Sequence, residues 1–485
     1  MTTAILHIKD EVNCKIEGLD LTTRKNLVNK FKFEIPYARY LPAVRLGRWD
    51  GKISFFQLSG STFVNLLPEI IPELESAGYD LELNDLREYN TNFDFEEVTE
   101  DSYANISWPK RHPAEGQPIK LRDYQVDTIN NFLRNPQCLQ EIATGAGKTL
   151  MTAVLSSKCE QYGRTVVIVP NKSLVTQTEE DYVNMGMDVG VFYGDRKEYT
   201  KTHTICTWQS LNSLLKRTKN QEADIGIGEF LEGVVGVIVD EVHGAKADAL
   251  RTLLTGVMSH VPIRWGLTGT IPKEDFEFMS IRCSLGDVIN RISASELQDK
   301  GVLANCNVNI LQLVEHTEYS NYQSEQKYLL DNTERLDYIA SVIENIRLSG
   351  NTLILVDRIS AGTRLSEKIK DAVFVQGATK SADRKEQYDE VATTTDKVIV
   401  ATYGVAGVGI NIPRIFNLVL IEPGKSFVRV IQSIGRGIRK AQDKDFVQIW
   451  DVTSTCKFSK RHLTKRKQFY KDANYPFQIE KITWQ

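Results

Sequence analysis

Between residues 141 and 149 the chain reads Glu141-Ile-Ala-Thr-Gly-Ala-Gly-Lys-Thr149, and an amphipathic stretch, Leu150–Gln161, follows it. A glycine-rich turn that opens a helix directs backbone N–H groups and the positive helix end at phosphate oxygens. In such a turn Lys148 reaches the outer phosphates of a nucleotide and the Thr149 hydroxyl holds Mg2+. The general pattern G-x-x-x-x-G-K-S/T would place Gly where Ile142 stands, so the loop alone is an imperfect match.

A second group lies about 90 residues further on, where Val234-Val-Gly-Val-Ile-Val-Asp240-Glu241-Val-His243 is an apolar run ending in two carboxylates. A buried strand does not hold acids inside a dry sheet, so Asp240 and Glu241 are expected at its C-terminal edge, where ligands of open α/β sheets bind. Asp240 suits Mg2+, and Glu241 suits orientation or deprotonation of an attacking water. The third group is Gln432-Ser-Ile-Gly-Arg-Gly-Ile-Arg439. Two arginines three apart on a helix share a face, and an arginine brought across a cleft stabilises charge developing on a γ-phosphate. Arg436 and Arg439 are the candidates. A solvated basic face is the plain alternative, but Gly435 and Gly437 weaken a helix that has no close approach to make. ATP with Mg2+ is the ligand these groups imply together, held between two domains that open and close around it.

Such side chains need parallel sheets to carry them. Strand-like runs occur at 166–169, 204–207, 234–239 and 264–267, and again at 352–356, 372–375, 397–401, 418–421 and 447–450, with helical patterns between them. That predicts two successive α/β domains, over 119–295 and 296–453. Residues 1–83 read as a small α+β domain. The acidic, then proline-bearing stretch 84–118 reads as a linker, and 454–485 as a basic C-terminal extension. Seven scattered cysteines with no C-x-x-C pair argue for reduced thiols, against a disulfide framework, zinc ribbon or iron–sulfur cluster. No apolar run is long enough to span a membrane and no signal peptide is evident, so no membrane partner and a cytoplasmic location are expected.

In order and content, these motifs resemble those of superfamily 2 helicases and translocases, from Lys120 to about Asp451. LRDYQ resembles the adenine-reading motif, with Gln125 as its amide, and ATGAGKT is the superfamily's variant of the phosphate loop. The resemblance implies nucleotide contacts by Gln125, Thr144, Gly145, Ala146, Gly147, Lys148, Thr149 and Gly409, with Gln432 in the catalytic set. It implies coupling of ATP state to closure by His243, Thr268 and Thr270. Nucleic-acid contacts fall to Asn171 in VVIVPNKSLVTQ, Arg358 in LILVDR and Thr402 in VIVATYGVAGVGINIP. Where the family commonly has G-x-D, this chain has Gly409-Ile410-Asn411, which leaves that side chain without charge.

The flanks bear on the substrate. A net charge of −4 does not mark a nucleic-acid binder, yet residues 30–52 hold six basic groups against two acids. Arg39, Arg45, Arg48 and Lys52 are candidate DNA contacts, and Trp49 a candidate stacking surface. Tyr37 and Tyr40 either join it or, with Trp49, form the small domain's core. Lys457–Lys471 holds seven basic groups and no acid, which favours phosphate contact over a merely solvated helix. YARYLPAVRLGRWDGKISFF resembles the N-terminal domain of the phage UvsW branch-migration helicases. That resemblance implies an ATP-dependent helicase acting on branched double-stranded DNA with single-stranded regions, in the host-cell cytoplasm. An RNA helicase, the motor subunit of an ATP-dependent restriction nuclease and a non-hydrolysing clamp are the rival readings.

Overall fold

The computed structural model describes residues 2–87, 92–109, 114–143, 145–170, 172–242, 247–272, 275–302, 305–377, 379, 383, 386–387, 390–391, 393–403, 414–424, 446–472 and 475–484. The chain divides into two compact units, one of residues 1–142 and 147–291, the other of 143–146 and 292–485. Among the described residues no helix is long and apolar enough to cross a membrane. All seven cysteines are free and buried.

The first unit begins with β1 (Thr2–Ile8) and β2 (Asn13–Glu17), then a hairpin of β3 (Lys32–Glu34) and β4 (Lys52–Ser54), then β5 (Ser61–Phe63) and β6 (Tyr79–Asp85). The sheet order is β5-β2-β1-β6, with β1 antiparallel to β2 and parallel to β6. Alternation along β1 and β2 sends Ala4, Leu6, Ile8, Cys14 and Ile16 to one face. Helices Leu21–Lys30 and Leu67–Ser76 supply Leu27, Ile70 and Leu74 to the same core. Asp20 caps the first of them, accepting from Thr23 N at 2.9 Å.

This small core is not self-contained. Phe276, Met279 and Cys283 of the helix Asp275–Leu285 belong to the same cluster. Asn65 donates to Gln137 Oε1 at 3.1 Å, and Gln137 donates to the Glu11 carbonyl at 2.7 Å. The expected linker is likewise packed down. β6 runs past residue 83 to Asp85. Phe93 and Phe95, two apart and so on one side of an extended chain, pack on Tyr162 with ring centroids 5.0 and 5.4 Å away. Val98 and Asn130 exchange two hydrogen bonds, at 2.8 and 3.0 Å. The acidic composition of 84–101 hid these aromatic anchors, which pack the described residues around Phe93–Val98 down where a linker was expected.

Among the described residues the motor part of the first unit has an eight-stranded sheet. Its strands are β7 (Gln137–Ile142), β8 (Arg164–Val169), β9 (Val189–Tyr193), β10 (Arg196–Lys197), β11 (His203–Thr207), β12 (Val234–Asp240), β13 (Ile263–Thr268) and β14 (Val288–Ile292), in the order β10-β9-β11-β8-β12-β13-β7-β14. From β9 to β7 every neighbouring pair is parallel. Every residue of β12 and β13 is buried, as expected for central strands covered on both faces.

Among the described residues the second unit has a seven-stranded sheet of β15 (Asn305–Leu313), β16 (Thr352–Val356), β17 (Val373–Val375), β18 (Val398–Thr402), β19 (Asn417–Ile421), β20 (Phe446–Ser454) and β21 (Phe477–Ile482), ordered β17-β18-β16-β19-β20-β15-β21. All its pairs are parallel. The expected C-terminal extension is part of this unit: β21 pairs with β15, and the helix Lys457–Asp472 packs by Arg466 and Tyr470. Arg466 makes a two-pronged ion pair with Asp451 at 2.8 and 2.9 Å and donates to the Pro423 carbonyl at 2.7 Å. Arg466, read from composition as a phosphate contact, is therefore a buried structural cation; Lys457, Lys460, Arg461, Lys465 and Lys471 remain exposed. A second buried arginine, Arg335, bridges Glu315 at 2.8 Å and Glu422 at 2.6 Å.

Candidate nucleotide site and nucleic-acid surface

The first unit gathers several of the candidate residues at the C-terminal edge of β7, β12 and β13. The helix Lys148–Cys159 starts from Gly147, whose φ of +85° is a left-handed conformation that disfavours any side chain. Gly145 is also left-handed, at +93°. A Cβ added at Gly147 would stand 2.5 Å from Gln125 Nε2, so Gln125 lies directly against the loop. Gln125 is itself buried, and its Oε1 accepts from Arg122 N at 2.9 Å, which fixes which way the amide points.

Lys148 is 8% exposed, and its Nζ lies 2.7 Å from Glu241 Oε1 and 3.2 Å from the Ile142 carbonyl. In a continuing strand Asp240 and Glu241 would face opposite sides of the sheet. The chain instead turns at Glu241, whose φ is +52°, a conformation costing a non-glycine residue about 1–2 kcal/mol. Strain of that kind collects at functional sites. Burial first, then the neighbouring Glu241 charge, push the Asp240 carboxyl above the usual carboxylate range, and the Lys148 ammonium opposes them. Asp240 Oδ1 is buried without a hydrogen-bond partner among the described residues. A buried acceptor with no donor, beside a lysine and a glycine-rich helix start, matches the needs of a phosphate ligand with a divalent cation.

The end of β13 closes on the same carboxylate. Gly269 N lies 3.4 Å from Glu241 Oε2, and the Thr268 hydroxyl donates to the Thr270 carbonyl at 2.8 Å. Thr268 and Thr270 are thus joined to Glu241 through one peptide group. Sequence reasoning assigned no role to Glu141, the last residue but one of β7. It accepts from Ile271 N at 3.2 Å and so ties β7 to the segment after β13. Its place at the head of the loop motif was the only available signal.

Other candidates stand apart. Arg39, Arg45, Arg48 and Lys52 are exposed. Trp49 is half-buried against the small domain's core and donates from Nε1 to the Lys52 carbonyl at 3.0 Å, so it is a packing residue and not the expected open stacking surface. Arg358 forms an ion pair with Asp331 at 2.7 Å, which competes with any phosphate. Thr402 ends β18 in the second unit, half-buried. Thr144, Asn171, His243, Gly409, Asn411, Gln432, Arg436 and Arg439 lie outside the described residues.

Two families match the chain in order: the one described as type III restriction enzyme, res subunit, over residues 118–273, and the helicase conserved C-terminal domain over 334–441. The chain is an ATP-hydrolysing enzyme of the superfamily 2 helicase and translocase class, built on two parallel-sheet motor domains. Within that class it resembles the phage UvsW helicases. It is 24% identical to the ATP-dependent DNA helicase uvsW of Enterobacteria phage T4, over 97% of this chain and 94% of that one. It is 22% identical to the DNA 3′-5′ helicase XPB of Mycobacterium tuberculosis, over 77% of this chain and 70% of that one. In fold it matches an ATP-dependent type ISP restriction-modification enzyme bound to DNA, with a TM-score of 0.56 and 16% identity, over 86% of this chain and 36% of that one.

Proposed function

We propose that this protein couples ATP hydrolysis to unwinding or branch migration of branched double-stranded DNA such as forks and Holliday junctions. The observation that carries the motor half is the cluster of Lys148, Asp240 and Glu241, with its buried unpaired carboxylate oxygen. The branched-DNA half rests on likeness to UvsW along nearly the whole chain, including the N-terminal domain.

In this reading Thr149 and Asp240 would hold Mg2+, which would supply charge neutralisation at the phosphates of bound ATP. Lys148 binds the outer phosphates and in doing so leaves Glu241. Glu241, released from the ammonium, orients the attacking water and accepts its proton. Gln125 reads the adenine edge. The Thr268–Thr270 turn senses the position of Glu241 through Gly269. Arg436 and Arg439 are the candidates for stabilising charge on the γ-phosphate, with Gln432 beside them in sequence.

The test compares ATP turnover and strand displacement on a Holliday junction, a fork, tailed linear duplexes and RNA. Junction and fork processing above that of linear duplex supports the proposal. RNA-stimulated turnover equal to or above the DNA value overturns it. The restriction-motor reading is favoured by the family matched over 118–273, and ATP-dependent cleavage of circular duplex DNA would establish it.

A further inference from the structure

The hairpin of β3 and β4 carries a long connection, residues 35–51, on the small N-terminal domain. It is held in shape from below. Ile35 N donates to the Gly51 carbonyl at 2.9 Å, closing its base, and Lys32 pairs with Asp50 at 2.6 Å. Ile35 and Ala38 are buried, while Val44 and Trp49 pack on the core. Two short helical turns, Ala38–Tyr40 and Pro42–Arg45, order the top.

What this scaffold displays is unusual for a small domain with a core available. Tyr37 is 48% exposed, Tyr40 60% and Leu46 64%. They share the loop with exposed Arg39, Arg45 and Arg48, and no acid stands between Ile35 and Trp49. The Arg39 guanidinium lies over the Tyr40 ring, 4.9 Å from its centroid, bringing a phosphate-binding cation and a stacking ring to one place. Contiguous exposed apolar groups mark interaction sites. An acidic protein surface would satisfy the arginines but not the rings. Intact duplex offers phosphates, but its base faces are already covered by stacking. DNA whose strands have parted offers both phosphates and open base faces.

We infer that the 35–51 loop is the element that meets unpaired bases where DNA strands separate, with Tyr40 as the stacking platform and Arg39 its phosphate partner. This rests on the DNA reading above and adds to it the position of the strand-separating contact. Trp49, the aromatic that composition favoured, serves the loop from inside.

The experiment uses the full chain and a fork carrying a fluorescent adenine analogue at the first unpaired position. Wild-type protein quenches the fluorophore on binding without nucleotide. Tyr40→Ala is expected to lose the quenching and about tenfold in fork affinity, with little change for intact duplex, and Tyr40→Trp to restore both. Arg39→Ala is expected to lower the salt slope of binding by about one while keeping the quenching. Quenching by Tyr40→Ala equal to wild type, or equal loss on fork and intact duplex, would overturn the inference. A wild-type protein that quenches but processes no junction sinks the branched-DNA motor reading and leaves the loop assignment standing. Junction processing without quenching does the reverse.

Discussion

The Lys148 ammonium sits 2.7 Å from the Glu241 carboxylate, so the lysine that opens the helix after the glycine-rich loop and the first carboxylate past β12 hold each other. In the proposed mechanism a bound phosphate separates them, so the two residues are expected to act as one unit. Lys148→Ala and Glu241→Gln are each expected to lower ATP turnover by about 10²-fold or more. Because they act as a unit, the double variant should be little worse than either single one. Steady-state phosphate release measures this; additive losses, or wild-type turnover in either single variant, contradict the assignment.

Gly147 allows the turn and leaves room for Gln125. Gly147→Ala places a methyl group in a left-handed conformation and against the Gln125 amide. The strain of about 1–2 kcal/mol predicts roughly tenfold weaker nucleotide binding. Titration with a fluorescent ATP analogue reads it, and unchanged affinity would show that the loop rearranges freely.

Arg466 separates a structural cation from a surface one. Arg466→Ala leaves Asp451 buried without its partner, a loss of about 3–5 kcal/mol. The second unit should melt earlier. Lys465→Ala, exposed on the same helix, should keep the melting temperature and instead reduce the salt dependence of DNA binding by about one in slope. Thermal denaturation and binding at several salt concentrations distinguish the two; Arg466→Ala melting like wild type would exclude the buried-pair role.

His203 predicts a pH effect. It is fully buried at the start of β11, 2.8 Å from Glu160, with Thr165 Oγ1 at 2.6 Å on its other nitrogen. Burial lowers its pKa, and Glu160 opposes the shift. A depressed pKa means the unfolded chain binds the proton more readily. This contribution to stability is therefore full above the unfolded value, about 6.5, and is lost as pH falls through the folded one. The melting temperature should drop from pH 7 to pH 5, and less so in His203→Gln. Parallel pH profiles would contradict it.

Removing residues 1–83 reads from sequence as a clean way to test DNA engagement. It would strip the cover from Phe276, Met279 and Cys283, so the first unit is expected to lose cooperative stability along with activity. Calorimetry of the truncated chain checks this. Substitutions in the 35–51 loop are the better probe of DNA contact.

The sequence by itself determined the motor: local patterns carry it, because a phosphate loop needs its glycines beside Lys148 and a buried strand announces itself by an unbroken apolar run such as Val234–Val239. Those constraints act within a few residues. What only the tertiary structure decided depends on which distant surfaces meet. Phe93 and Phe95 became anchors because Tyr162 lies under them. Arg466 went inside because Asp451 was already there, although Lys465 beside it in sequence is exposed. Trp49 turned inward and Tyr40 outward because the packed base of one loop has a fixed inner side. Composition counts a charge or a ring alike on either face; only packing assigns the face, since burial rewards apolar contact and demands a partner for every charge.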